Sequence, residues 1–187
     1  NDDPDFLKYR KIFPERVFDT TSKKSEGGRG GFGGTPFYDG YGYCSSDYPR
    51  ATYAAMISRM DRDIGKILQS LKDFGIDDNT LVMFSSDNGA AAWEAGGADR
   101  EFFKSNGVLR DGKNRFYEGG IRVPMIARWP GKIEADTVSD HVSYFPDILP
   151  TVATLLDQLL EEKVDCLSLL PTLLNKGEQA QHDYLFW

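Results

Sequence analysis

From Pro49 onward, Tyr53, Met56, Ile57, Met60, Ile64, Ile67, Leu68, Leu71 and Phe74 recur every three or four residues, with Asp61, Arg62, Asp63, Lys66 and Lys72 between them. An apolar stripe of that period predicts an amphipathic helix of roughly 24 residues. Asp47 stands near its start, Pro49 suits a first turn, and Gly75 is able to end it in a left-handed conformation. Ile76-Asp77-Asp78-Asn79-Thr80 then makes a short connection into Leu81-Val82-Met83-Phe84, whose β-branched and aromatic residues predict a buried strand over 80–86. Helix, short turn and buried strand restrict the chain to an α/β architecture.

The end of that strand carries the chemistry. Ser85-Ser86-Asp87-Asn88-Gly89 puts adjacent oxygen-bearing side chains where an open α/β sheet binds ligands, at the carboxyl edge of its strands. One anionic and one neutral oxygen suit a hard cation, calcium or magnesium, better than a soft transition metal. Lys113 follows on a glycine-rich loop, Gly112-Lys113-Asn114-Arg115-Phe116-Tyr117-Glu118-Gly119-Gly120, and offers an ammonium to an anion beside that cation. Each of these residues also has a plainer reading: Asn88-Gly89 as a turn after a strand, Lys113 as a solvated side chain.

The rest of the chain bounds the possibilities. With 187 residues, 40% of them apolar, it has the material for a core of one or two domains. A net charge of -7 leaves no broad basic surface for nucleic acid. The sequence predicts no membrane span and no signal peptide. Cys44 and Cys166 form no Cys-x-x-Cys pair, so zinc and redox motifs are unsupported, and one disulfide or two free thiols both remain open. Gly27-Gly28-Arg29-Gly30-Gly31 resembles one copy of an RGG segment but reads better as surface loop, which makes residues 1–48 a loop-rich segment ahead of 49–187. A second strand is expected at 123–129, where Pro124 argues for an edge or a first position. Helices are expected at 144–156 and 167–174, and a strand beginning at Tyr184. The excursion over 89–120 is longer than a connector needs.

Taken together, Ser86-Asp87-Asn88-Gly89, Gly112-Lys113, Tyr117-Glu118-Gly119-Gly120-Ile121-Arg122-Val123-Pro124, Trp129-Pro130-Gly131 and Phe145-Pro146-Asp147-Ile148-Leu149-Pro150-Thr151 resemble, in order and spacing, the type I sulfatases of the alkaline phosphatase superfamily. The resemblance runs from about residue 49 to the end. It implies an alkaline-phosphatase-like three-layer α/β/α sandwich, present in part, and hydrolysis of sulfuric esters on a sulfated small molecule or glycan. It further implies calcium, with magnesium the second choice, held by Asp87 and Asn88, a catalytic and sulfate-binding Lys113, and a periplasmic, secreted or lysosomal location.

The family's Cys/Ser-x-Pro-x-Arg segment, whose first residue becomes the formylglycine nucleophile, has no counterpart here, nor has its early aspartate pair. Cys44-Ser45-Ser46-Asp47-Tyr48 lacks both the proline and the arginine. The chain therefore resembles the C-terminal part of a sulfatase catalytic domain, inactive alone, whose partner is the remainder of that domain. A phosphodiesterase or phosphonate hydrolase of the same superfamily, or a non-catalytic binding module, stays open. Arg122 reads as a buried partner of a carboxylate such as Glu118 in preference to a substrate contact. His141 and His182 read as structural or surface residues. The loop Ala90–Ala98 is expected to line the substrate entrance, with Trp93 either stacking on a ring or packing on the domain.

Overall fold

The computed structural model describes residues 2–18, 46–91, 96–158, 160 and 164–186. The chain forms two compact units, Asn1–Gln69 with Ser86–Pro124, and Ser70–Ser85 with Met125–Trp187. Cys44, Trp93 and the Gly27–Gly34 stretch fall outside the described residues.

In the first unit, helix α1 spans Pro4–Arg10. Asp3 starts it: one carboxylate oxygen accepts from Asp5 N at 2.9 Å and Phe6 N at 3.1 Å, and Pro4 follows in the first turn. Two turns are too short to show a period, so its apolar residues carried no signal. Phe6 is buried against Ala51 and Ala55 of α2, Pro49–Asp73, whose small side chains let the helices approach; Tyr9 and Tyr48 close the cluster.

The start of α2 is held from a distance, since Glu15 accepts from Arg50 N at 3.1 Å and from Ala51 N at 2.9 Å. Arg50 turns back to Asp99 at 2.7 Å and lies 4.0 Å over the Phe102 ring. Phe13 bridges Tyr9 to Phe102 and Phe103 with ring separations of 5.3 to 5.7 Å. At the other end Gly75, at φ +67°, closes α2 as its position predicts, and Ile76 N reaches back to Leu71 O at 3.0 Å. Along the helix Met56, Ile57, Met60 and Ile67 are exposed.

In the second unit, β1 (Val82–Ser85) pairs antiparallel with the later β2 (Met125–Arg128), in the register Val82 to Arg128 and Ser85 to Met125. Both strands are shorter than expected but fall inside the predicted ranges, and Pro124 precedes β2, where its missing N–H breaks no ladder bond. Phe84, Met125 and Ile126 are exposed. Arg128 holds the Asp77 carboxylate through both guanidinium nitrogens, at 2.6 and 2.8 Å, and Trp129 Nε1 donates to Asp78 O at 2.9 Å. The Arg128 guanidinium keeps the Asp77 carboxyl below its usual range. A lowered carboxylate value contributes stability above the ordinary carboxylate range, lost as the pH falls through the folded value. Protection factors of the β1 and β2 amides, taken relative to intrinsic exchange at each pH, are therefore expected to fall once the pH drops below the ordinary carboxylate range, an effect that Arg128→Ala abolishes.

Between β1 and β2 in the chain lie the short helices α3 (Arg100–Phe103) and α4 (Glu118–Ile121), both in the first unit. After β2, a single 3-10 turn at Phe145–Asp147 leads into α5, Ile148–Leu155, as predicted for 144–156. Helix α6 covers Leu170–Leu174, with Pro171 in its first turn, so 167–169 stay outside the expected helix. Asp147 is fully buried and gathers three segments: Tyr144 N at 3.1 Å, Leu167 N at 2.8 Å, and His182 Nε2 at 3.0 and 3.1 Å from its two oxygens. Thr151, also buried, donates to Asp147 O at 2.6 Å and accepts from Leu169 N at 2.8 Å. Burial pushes the Tyr144 hydroxyl and the Cys166 thiol up, and the Asp147 charge adds to both. Cys166 is a free thiol. Tyr184–Phe186 form no strand, because no described residue offers them a ladder partner. Among the described residues no helix is long and apolar enough to cross a membrane.

Candidate active site

Past β1 the chain turns sharply over residues 87–89, with Ser86 Oγ donating to Asn88 O at 2.8 Å. Asp87 is exposed, and its carboxylate has no hydrogen-bond or ion-pair partner among the described residues. Asn88 is half-buried and spends its Nδ2 on the Gly89 carbonyl at 3.0 Å, which leaves Oδ1 unengaged. The Asp87 carboxylate and Asn88 Oδ1, unengaged on consecutive residues among the described ones, are the oxygen donors a hard cation takes. They are a small part of the six to eight that calcium takes, and no group of three His, Cys, Asp or Glu side chains among the described residues could hold a metal.

The glycines explain how Lys113 comes to this turn. Gly89 N donates to Gly120 O at 2.9 Å, and a Cβ on Gly89 would land on the Gly119 carbonyl. Lys113 N donates to Ala90 O at 3.0 Å, and a Cβ on Gly112 would strike that same Ala90 carbonyl. Backbone therefore packs directly on backbone where Asn88-Gly89-Ala90, Gly112-Lys113 and Gly119-Gly120 meet, an approach only glycine permits. The Lys113 side chain is half-buried and makes no ion pair with a described residue.

Asp111 and Asn114, at φ 64° and 70°, bend the loop on either side of Gly112-Lys113. Arg110 lies 3.5 Å over the Tyr117 ring, and Arg100 and Arg115 each stand 3.9 Å from the Asp111 carboxylate. Asn106, which belongs to no motif read from the sequence, is bonded to both arms of the site through Ala90 N and Asp111 O. Beside it, Arg100, Lys104, Glu101 and Asp111 help line an open cleft of about 270 Å³ whose charges balance.

Arg122 does pair with Glu118, at 3.3 Å, but the pair is exposed, the side chains retaining 68% and 58% of their accessible surface. The expected burial fails because residues four apart on α4 meet on its outer side; such a pair contributes about 0–1 kcal/mol. His182 is held on Asp147, and His141 buries both ring nitrogens without a hydrogen-bond partner among the described residues. Both histidines belong to the second unit.

A model of the sulfatase family matches residues 8–158. The chain belongs to the sulfatase family. It is 35% identical over 136 residues to mouse steryl-sulfatase, covering 72% of this chain and 22% of that protein. It is 42% identical over 130 residues to human N-acetylgalactosamine-6-sulfatase, covering 67% and 24%. Among solved structures it resembles Ps i-CgsB in complex with k-i-k-neocarrahexaose, with a TM-score of 0.59 and 32% identity over 70% of this chain and 28% of that one. It also resembles BT4656 in complex with its substrate D-glucosamine-2-N,6-O-disulfate, with a TM-score of 0.55 and 29% identity over 70% and 24%. The chain thus spans about a quarter of the length of the relatives it matches. The α/β class and the alkaline-phosphatase-like fold, present in part, hold for this sulfatase sequence.

Proposed function

We propose that this chain supplies the C-terminal part of the catalytic domain of a type I sulfatase, which hydrolyses the sulfate ester of a sulfated small molecule or glycan. The observation that carries the reading is the bond from Lys113 N to Ala90 O, which brings an unpaired ammonium's backbone within two residues of Asn88. Asp87 and Asn88 would hold calcium, whose positive charge neutralises the sulfuryl oxygens when it is bound. Lys113 meets the negative charge that shifts toward the leaving oxygen as the sulfur–oxygen bond breaks. The nucleophile, a formylglycine in relatives of this type, belongs to sequence outside this chain, as do the remaining metal ligands.

The exposed apolar residues Met56, Ile57, Met60 and Ile67 on α2, and Phe84 and Ile126 on the two strands, support the remainder of the domain as the partner that covers them. An extracytoplasmic location belongs to the same proposal.

Calcium titration tests the metal. In the complete domain, Asp87→Ala removes the anionic ligand and is expected to weaken calcium binding and turnover together, while the 187-residue chain alone turns over no aryl sulfate. Unchanged calcium affinity in the variant would reduce Asp87 to the residue that ends a strand.

A further inference from the structure

We infer that Asn106 is a positioning residue that sets the spacing between the segment bearing Asp87 and Asn88 and the loop bearing Lys113. The inference rests on the sulfatase reading of those three residues. Asn106 Oδ1 accepts from Ala90 N at 3.2 Å, and its Nδ2 donates to the Asp111 carbonyl. Ala90 lies two residues after Asn88 and Asp111 two before Lys113, so one amide spans both arms of the site.

The geometry is specific to an amide. One arm presents a donor and the other an acceptor, and a short side chain that answers both at once must carry an oxygen and an NH₂. With Asn106 on its nitrogen and Lys113 N on its oxygen, Ala90 is fixed through both of its backbone polar groups. Space for the amide is reserved by Gly119, where a Cβ would press on Asn106 Nδ2. Asn106 itself is anchored by a tight turn after α3, with Gly107 N on Lys104 O at 2.8 Å and Leu109 N on Asn106 O at 2.9 Å. Both polar ends of its side chain are engaged with backbone, so it acts on the reaction through Asn88 and Lys113 and not by touching substrate.

The test compares Asn106→Ala and Asn106→Asp in the complete catalytic domain, reading kcat and KM on an aryl sulfate, calcium affinity, and amide exchange at Ala90 and Lys113. Asn106→Ala frees both arms. It is expected to lower kcat about 10- to 100-fold and to weaken calcium by a similar factor, as losing the support of a metal or reacting group does, with KM nearly unchanged. Asn106→Asp keeps the acceptor for Ala90 N but turns an oxygen toward the Asp111 carbonyl. Calcium affinity and Ala90 protection are therefore retained, while kcat and Lys113 protection fall.

Full activity in both variants, or loss of cooperative folding in both, overturns the assignment. Lys113→Ala, run in parallel, separates the two claims. An inactive Lys113 variant beside a fully active Asn106→Ala variant overturns the role of Asn106 alone. Unchanged turnover in Lys113→Ala overturns the catalytic role of Lys113 on which the assignment of Asn106 rests.

Discussion

Lys113→Ala in the complete catalytic domain is expected to lower kcat on an aryl sulfate by on the order of 10²- to 10³-fold, the usual consequence of removing one preorganised donor to developing negative charge. The architecture makes the experiment clean. What holds Lys113 in place is its backbone N–H on Ala90 O and the glycine beside it, and neither depends on the side chain. The half-buried side chain leaves no core cavity when removed, so the melting temperature should hardly move. Lys113→Arg keeps the charge but spreads it over a planar fork, and is expected to recover only part of the rate. Steady-state kinetics on the three proteins decides the matter, and wild-type turnover in Lys113→Ala would make the residue an ordinary solvated lysine.

Asp147→Ala carries the largest expected effect on stability. The Tyr144 and Leu167 N–H groups and the His182 imidazole converge on the Asp147 carboxyl from three segments. Removing the acceptor strands the Tyr144 and Leu167 N–H groups and the imidazole in a buried place. The expected loss is about 3–5 kcal/mol, in the range of breaking a buried pair from one side. His182→Ala should lose less, because the two backbone donors still satisfy the carboxylate. Denaturant titration gives the totals. Exchange at Leu167 and Leu169 reports whether the loss sits at this hub, and a variant with both amides as protected as in wild type would contradict the account.

Much of the architecture is legible in the chain because it is written locally. The stripe from Tyr53 to Phe74 and the stop at Gly75 specify α2 and its end within a few turns, and the apolar run before Ser85 specifies β1. The burial pattern is another matter. The stripe predicts which side chains share a face, yet α2 buries Ala51 and Ala55 while Met56 and Ile67 stay exposed, since burial depends on what other parts of the protein cover. At the site, Asp87, Asn88 and Lys113 stand out as residue types suited to a cation and an anion. Their meeting through Gly89, Gly112 and Gly119 does not, because a glycine shows that something approaches without showing what. Asn106 is hidden for a related reason: its value lies in reaching two backbones at once, and an Asn before a Gly looks the same in any turn. Asp147 finds partners 20 and 35 residues later, beyond the range of any local pattern.

The Glu15 carboxylate on the first turn of α2 bears on the order in which the protein assembles. One end of the helix is completed by its own neighbours, through Gly75 and Ile76. The other end waits for a residue 35 positions upstream of Arg50. Closing a loop of that length opposes the contact by about 3 kcal/mol of chain entropy, so it forms only once other contacts between the two segments have begun to accumulate. Phe6 against Ala51 and Ala55 is the contact best placed to do so. The first turn of α2, unlike its last, therefore depends on the upstream segment, through Phe6 and Glu15 together, for its permanence.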